Sequence, residues 1–200
     1  TSQKPQSVID AVARFYEQDC SHLPRGVPLL SQRATQAYEE VRLKAQHFIH
    51  AADPAEIIFV RGATEGINLV AQTYGRKHVQ AGDTVLVSAM EHHSNIVPWQ
   101  QLAERVGAEI DWAPVDDEGL LDMGAFAALL ERGPKLVAVA HVSNVLGTEN
   151  PLAEISALAH DAGALVLADG AQAAPKLPLE MAELGVDFYA VTGHKLYGPT

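Results

Sequence analysis

Apolar positions along this chain recur with two different periods. Over residues 6–18, Val8, Ile9, Val12, Phe15 and Tyr16 stand at helical spacing behind Pro5, which predicts an amphipathic helix. A loop over 20–28, punctuated by Pro24, Gly26 and Pro28, precedes a second helical pattern. There Ser31 is the expected cap, and Ala34, Ala37, Tyr38, Val41 and Phe48 share one face up to about His50. Past Asp53-Pro54 the rhythm changes to short apolar runs. Strands are predicted over 56–60, 84–88, 109–114, 136–140, 165–169 and 186–191. Helices are predicted between them, over 64–74, 96–106, 123–131 and 152–162, with Pro98 tolerated in a first turn and Gly163 closing the last. This alternation predicts an α/β domain in three layers, a mainly parallel sheet with helices on both faces. Ligands of such sheets sit beyond the carboxyl ends of the strands.

Composition narrows the class. The 200 residues suffice for one domain with its own core, and 48% hydrophobic with 20% charged residues describes a globular chain, not a disordered one. A formal net charge of −11 argues against a nucleic-acid partner, whose phosphates need a basic face. No apolar run reaches the ~20 residues of a membrane span, and the polar N-terminus has no signal-peptide core. A single cysteine, Cys20, excludes an intrachain disulfide and fits a reducing, cytoplasmic setting. His47 and His50 share a predicted helix and read as a solvated face, because a metal would need further ligands nearby.

Candidate chemistry gathers where the predicted strands end. The run 186–191 is followed directly by Thr192-Gly193-His194-Lys195. A lysine buried there would be desolvated, which lowers its pKa and frees the amine to attack a carbonyl. By itself, such a lysine reads as a side chain turned to solvent. The run 165–169, however, delivers Asp169 at a neighbouring strand end. A pyridoxal phosphate site needs that pair, a lysine for the Schiff base and an acid on the pyridine nitrogen. A second pattern is the predicted strand 56–60, the small-residue turn Arg61-Gly62-Ala63 and a helix opening at Thr64. First-turn amides and the positive end of the helix dipole would there face an anion. Thr64 reads equally as an ordinary N-cap worth ~1 kcal/mol, and the Gly-Lys-Ser/Thr ending of a Walker loop is missing.

Five ordered segments carry a resemblance: Arg61-Gly62-Ala63-Thr64-Glu65-Gly66-Ile67-Asn68, Glu91-His92-His93-Ser94-Asn95-Ile96-Val97-Pro98-Trp99, His141-Val142-Ser143-Asn144-Val145-Leu146-Gly147, Asp169-Gly170-Ala171-Gln172, and Gly193-His194-Lys195-Leu196-Tyr197-Gly198-Pro199-Thr200. Spanning most of the chain, they are similar to the class V pyridoxal phosphate-dependent aminotransferase family, in its cysteine desulfurase/selenocysteine lyase group. The resemblance implies a fold-type I large domain with a seven-stranded type of sheet. It also implies that residues 1–200 are part of that cofactor domain in a protein about twice as long, since the chain opens without methionine and stops inside a Gly-Pro-Thr turn. Pyridoxal 5'-phosphate is the implied cofactor, and L-cysteine or L-selenocysteine the implied substrate. The implied partners are a second copy, in a homodimer, and a sulfur-acceptor protein of iron–sulfur cluster assembly. The implied reaction takes L-cysteine to L-alanine, with sulfur leaving as a persulfide. A selenocysteine lyase or another class V aminotransferase or lyase is the alternative within the fold. A non-catalytic cofactor-binding or scaffold fragment is the alternative of a different class.

The roles implied by the resemblance follow residue by residue. Lys195 is the Schiff-base lysine, whose amine also removes and returns the Cα proton. Asp169 pairs with the pyridinium nitrogen, a contact of ~4 kcal/mol for unit charges at 4 Å and an effective dielectric near 20; the other reading is a helix-capping aspartate. Gln172 and Asn144 hydrogen-bond the cofactor's phenolic oxygen, or are loop amides. In the doublet His92-His93, His92 stacks on the pyridine face and exchanges protons with substrate. The doublet lacks the His-Glu-x-x-His zinc pattern, and no metal is implied. Thr64, Thr192 and His194 form the phosphate cup; serine is commoner in the family at the Thr192 position, and His194 reads otherwise as a core histidine. The family's persulfide-forming cysteine and carboxylate-binding arginine fall past Thr200, and Cys20, ahead of every motif, reads as a lone thiol. His22-Leu23-Pro24-Arg25-Gly26 departs from the family's Asn-x-His-Arg-Gly, with proline in place of histidine, and receives no role.

Overall fold

Five short apolar runs pair into one sheet in the computed structural model of the protein, which describes residues 2–20 and 28–199. The segment 22–26, to which no role was carried, lies outside the described residues, as does Thr200. The strands are β1 (Thr84–Ser88), β2 (Glu109–Ala113), β3 (Leu136–Ala140), β4 (Leu165–Asp169) and β5 (Phe188–Ala190). The helices are α1 (Gln6–Arg14), α2 (Pro28–Ile49), α3 (Ala63–Val70), α4 (Arg76–His78), α5 (Val97–Val106), α6 (Met123–Leu130), α7 (Leu152–Asp161) and the short α8 (Met181–Leu184). Two compact units result: Thr1–Phe59 with Pro178–Ala182 and Gly193–Thr200, and Val60–Leu177 with Glu183–Thr192.

The second unit holds the whole sheet. Its order is β2-β1-β3-β4-β5 and every pairing is parallel, with Val85 opposite Leu136, Leu136 opposite Leu165 and Leu167 opposite Phe188. The pleat sends successive side chains to opposite faces, so near-continuous apolar strands must be covered twice. Leu86, Val137, Val139, Val166 and Ala168 face one way, against Phe126 and Leu130 of α6 and Leu152, Ile155 and Ala159 of α7. Val85, Val87, Leu136, Ala138 and Leu167 face the other way, against Ile67 of α3, Ala71, and Trp99 and Leu102 of α5. The three-layer α/β architecture expected from the alternation is thus present, with five strands among the described residues where the resemblance implied a seven-stranded type. Pro98 sits in the first turn of α5, where its missing N–H costs no helix bond, and Gly107 ends the helix at φ 77°.

The first unit departs from expectation in two places. Residues 56–60 do not form a strand. Asp53 accepts the Ala55 amide at 2.7 Å and starts a 3₁₀ turn over Pro54–Glu56; the Ile57 carbonyl then goes to the Arg42 guanidinium instead of a ladder. Phe59 packs edge-on against Tyr38 of α2 at 5.2 Å, with Arg42 5.3 Å from both ring centroids, and Ile58 is left 67% exposed. Ser31 is not a cap either. It lies inside α2, buried, with its carbonyl accepting the Thr35 hydroxyl. The amphipathic 6–18 pattern does form helix, α1 followed by a wider turn over Phe15–Asp19, and Ile9, Val12, Phe15 and Tyr16 on it are exposed.

Ile155 is fully enclosed between α7 and the sheet. Ile155→Ala should lower the unfolding free energy by about 2–5 kcal/mol, while Leu120→Ala, at an exposed position, stays within about 0.5 kcal/mol; urea denaturation reads both.

Candidate functional site

Polar side chains that the sheet interior cannot hold emerge at its carboxyl edge. Between β1 and β3 the chain direction reverses, since β1 leads outward to β2 while β3 lies on its other flank. In open parallel sheets such a switch point leaves a crevice. Glu91, three residues past β1, fills it. Its Oε1 accepts the Ala140 amide at the end of β3 at 2.6 Å and also the Ser88 hydroxyl, while Oε2 accepts from Asn95 Nδ2 at 2.7 Å. Asn95, fully buried, passes the contact on by accepting from Trp99 Nε1 at 3.0 Å. Enclosure of the carboxyl, opposed by these donors and reinforced by nearby Asp169, pushes Glu91 up to about 7.

His92 follows on the same turn and is half-buried, whereas His93 is exposed and stacks on it at 4.1 Å. Of the doublet, His92 is the more enclosed imidazole. His92 Nδ1 accepts the Ser94 amide at 3.1 Å and lies 2.7 Å from the Ser94 hydroxyl.

Asp169 is the last residue of β4 and 7% exposed. Its Oδ1 accepts the Ala171 amide at 3.0 Å at the head of a turn rather than of a helix, so it caps no helix, and its carbonyl accepts the His141 amide. Gly170 is glycine for a steric reason: a Cβ there would overlap the Tyr189 ring. That ring's hydroxyl lies 2.7 Å from His141 Nδ1, on the α6 and α7 face. Burial first, and the charge of Asp169 second, raise the phenol's pKa, so Tyr189 stays protonated. Burial lowers the His141 pKa against the opposing pull of Glu149. Gln172 is half-buried, 3.4 Å from Lys176 Nζ through Oε1. Asn144 stands exposed on a turn closed by the Ser143 amide on the Thr148 carbonyl at 2.9 Å.

The end of β5 is tied to the start of α3. Thr192 Oγ1, at 6% exposure, accepts the Ala63 amide at 2.9 Å. This corrects the cap expected at Thr64: the N-cap is Gly62, Thr64 is the second helical residue and exposed, and the first amide is satisfied from across the sheet edge. Gly62 has φ 153° and ψ 178°, a region essentially reserved for glycine, and a Cβ there would stand 3.0 Å from Thr192 Oγ1. Thr64, His92, Asn144, Asp169, Gln172 and Thr192 thus all belong to the sheet unit; Thr64 lies in the first turn of α3 and the other five at or just past strand ends. His194 and Lys195 belong to the other unit, on a 3₁₀ turn over Gly193–Lys195. Both are half-buried. The His194 carbonyl accepts from Lys4 Nζ at 2.8 Å, and burial plus neighbouring positive charges, Lys195 and Lys4 among them, lower the His194 pKa.

Glu91, Ser94, His141, Tyr189 and Gly62 carry contacts that the sequence reading assigned to none of them. Glu91 had a signal: a carboxylate just past a buried strand, the pattern that singled out Asp169. Among the described residues no three or more His, Cys, Asp or Glu side chains are grouped to hold a metal, and no helix is long and apolar enough to cross a membrane.

A family model for aminotransferase class-V matches residues 1–200. The cysteine desulfurases of Shigella sonnei (strain Ss046) and Escherichia coli (strain K12 / DH10B) are each 52% identical over 200 residues, which is 100% of this chain and 49% of theirs. The chain therefore spans about half the length of these curated relatives. Among solved structures, the apo cysteine desulfurase of Thermococcus onnurineus NA1 matches with TM-score 0.94 and 39% identity, over 100% of this chain and 50% of that one. Cysteine desulfurase CsdA (S-sulfonic acid) of Escherichia coli matches with TM-score 0.89 and 40% identity, over 98% and 49%.

Two measurements follow from the geometry. Thr192→Val removes the acceptor and strands the buried Ala63 amide, so it should cost about 1–3 kcal/mol, while Thr192→Ser keeps the bond and costs less; urea midpoints separate them. Glu91 titrates near 4.5 when unfolded and at about 7 when folded. The unfolded chain therefore binds fewer protons between these values, and stability present below pH 4.5 is lost as pH rises through 7. Relative to Glu91→Gln, which does not titrate, the wild type should lose roughly 3 kcal/mol across that window in urea titrations.

Proposed function

The chain belongs to the aminotransferase class-V family, and from that premise we propose that it is the cofactor-binding part of a pyridoxal 5'-phosphate-dependent cysteine desulfurase. Residues 1–200 are then a portion of the large domain, in a protein that works as a homodimer in the cytoplasm. The observation that carries the reading is the pairing, at one sheet edge, of an acid and an anion cradle. Asp169 ends β4 with a buried carboxyl, and just past the adjacent β5 Thr192 bonds to the first turn of α3.

The residues fit the group. Gly62 has no Cβ where the backbone turns into α3, so a phosphate can approach the first-turn amides and the positive end of the helix, with the hydroxyls of Thr64 and Thr192 beside it. The family resemblance would assign His194 a ring-nitrogen contact to the same phosphate. Asp169 presents a buried carboxyl that would suit a protonated pyridine nitrogen, and the loop amides of Asn144 and Gln172 would supply donors for the phenolic oxygen. His92 is the residue that the family resemblance would set against the ring face. Pyridoxal phosphate, when bound, supplies an aldehyde that condenses with amines and a ring that accepts electron density from the substrate's Cα. Lys195, three residues past Thr192, would be the residue that holds the group through Nζ, and its amine would serve to move the substrate's Cα proton.

The proposed net reaction balances as L-cysteine plus an enzyme thiol giving L-alanine plus an enzyme persulfide, with one C–S bond broken and one S–S bond formed. The thiol is a cysteine outside residues 1–200, and a sulfur-acceptor protein of iron–sulfur assembly then takes the sulfur. The names of the relatives, cysteine desulfurases at 52% identity, support this substrate over selenocysteine or other amino acids. The test is turnover of L-cysteine by the full-length protein. Alanine should form at a rate that Lys195→Ala lowers by at least about 10²–10⁴-fold, together with loss of the cofactor's visible absorption band. A band that answers another amino acid and ignores cysteine would overturn the substrate.

A further inference from the structure

The turn into α3 is built around a residue with little conformational preference of its own. Gly62 is the N-cap, at φ 153° and ψ 178°, and glycine visits many other conformations at little cost. Neighbouring contacts must therefore hold it. One tether follows it, where Thr192 Oγ1 accepts the Ala63 amide at 2.9 Å. The other precedes it, where Glu65 Oε2 accepts the Arg61 amide at 2.5 Å. Glu65 is the third helical residue, the position from which a carboxylate commonly turns back on the N-cap amide. Here it reaches one residue further, so the two tethers straddle Gly62.

Arg61 completes the arrangement. Its Nε and Nη2 donate to Glu65 Oε1 at 3.2 and 3.0 Å, so one residue grips the carboxylate through backbone and side chain together. The guanidinium first, and the amide second, hold the Glu65 carboxyl below its ordinary value, which keeps it ionised at neutral pH. A bare carboxylate in the first turn suits the helix dipole but repels any anion seated there. The charge of Arg61 offsets that repulsion. The amides of Gly62, Thr64 and Glu65 have no acceptor among the described residues, so the tethered turn presents three donors at the start of α3.

We infer that Glu65 is the positioning residue of the phosphate cradle, tethering the Arg61-Gly62-Ala63 turn in its anion-receiving shape while Arg61 offsets its charge. This role rests on the function proposed above, which seats the phosphate of pyridoxal phosphate at this helix start. Charge and tether then act on binding with opposite signs. As a charge alone, Glu65 weakens the hold on an anion, so removing it tightens binding. As a tether, it raises the fraction of molecules whose turn is ready, so removing it weakens binding.

The test is titration of the full-length, cofactor-free protein with pyridoxal 5'-phosphate and, separately, with pyridoxal, which lacks the phosphate. Glu65→Ala should raise the Kd for pyridoxal phosphate by about fivefold, the worth of one hydrogen bond, and leave that for pyridoxal unchanged. Glu65→Gln keeps an oxygen for the Arg61 amide and loses the charge, so its Kd should stay at or below that of wild type. In hydrogen–deuterium exchange of the cofactor-free protein, the peptide containing Arg61 and Ala63 should exchange faster in Glu65→Ala than in wild type. Unchanged exchange overturns the inference, and so does an equal loss of affinity for both probes. Wild type that prefers pyridoxal phosphate while Glu65→Ala binds it as tightly defeats the inference alone. Wild type that holds both probes equally defeats the phosphate site proposed above, and the role of Glu65 with it.

Discussion

Because helices cover both faces of the five-stranded sheet, a polar side chain in the middle of β1 or β3 would lose water on every side, at a cost of several kcal/mol without a partner. The interiors of these strands are accordingly Val, Leu and Ala. At β1, β3 and β4 the site's polar side chains stand at the last residue of the strand and the few that follow it, while Asp111, inside the edge strand β2, is paired with Arg132. Asp169, Glu91 and His141 stand there, Thr192 stands just past β5, and each is engaged by a backbone amide or a facing side chain. The same constraint explains the glycines of the edge. Gly170 leaves room for the Tyr189 ring and Gly62 for the approach to α3.

Much of this was legible in the order of residues. Strands buried on both faces are near-continuous apolar runs, so β1 and β3 were found to the residue, and the α/β alternation gave the layers. The segment 56–60 looked alike by composition, but a strand is a pairing as well as a run. Its carbonyl at Ile57 found Arg42, and its aromatic at Phe59 found Tyr38, both on α2 and both far off in sequence. Ser31 and Thr64 were misplaced as caps for a related reason. Capping preference is local, while Ser31 lies within α2 and the first amide of α3 is satisfied by a bond from Thr192, 129 positions away in sequence from Ala63. Glu91 and Ser94 stood inside a recognised motif, yet their roles depend on Ala140 and on a ring nitrogen, neither of which spacing reveals.

The electrostatics of the edge divide its two carboxyl groups. Glu91 is wedged into the β1–β3 crevice, and burial together with the charge of Asp169 lifts it to about 7. Its donors come from two strand ends and a buried amide, which makes it a strut for the His92 turn. Asp169 terminates a strand next to β5, on the path that leads through Thr192 to Lys195. In the proposed enzyme the first carboxyl shapes the site and the second sets the charge of the cofactor ring.

The most direct measurement is borohydride reduction of the full-length protein loaded with pyridoxal phosphate, followed by proteolysis and mass spectrometry of the modified peptide. Reduction fixes the cofactor to whichever lysine holds it. Modification at Lys195, in the peptide containing Thr192-Gly193-His194, is the expected result. A cofactor fixed to a different lysine, or a folded protein that retains none, would contradict the assignment of this sheet edge as the catalytic site.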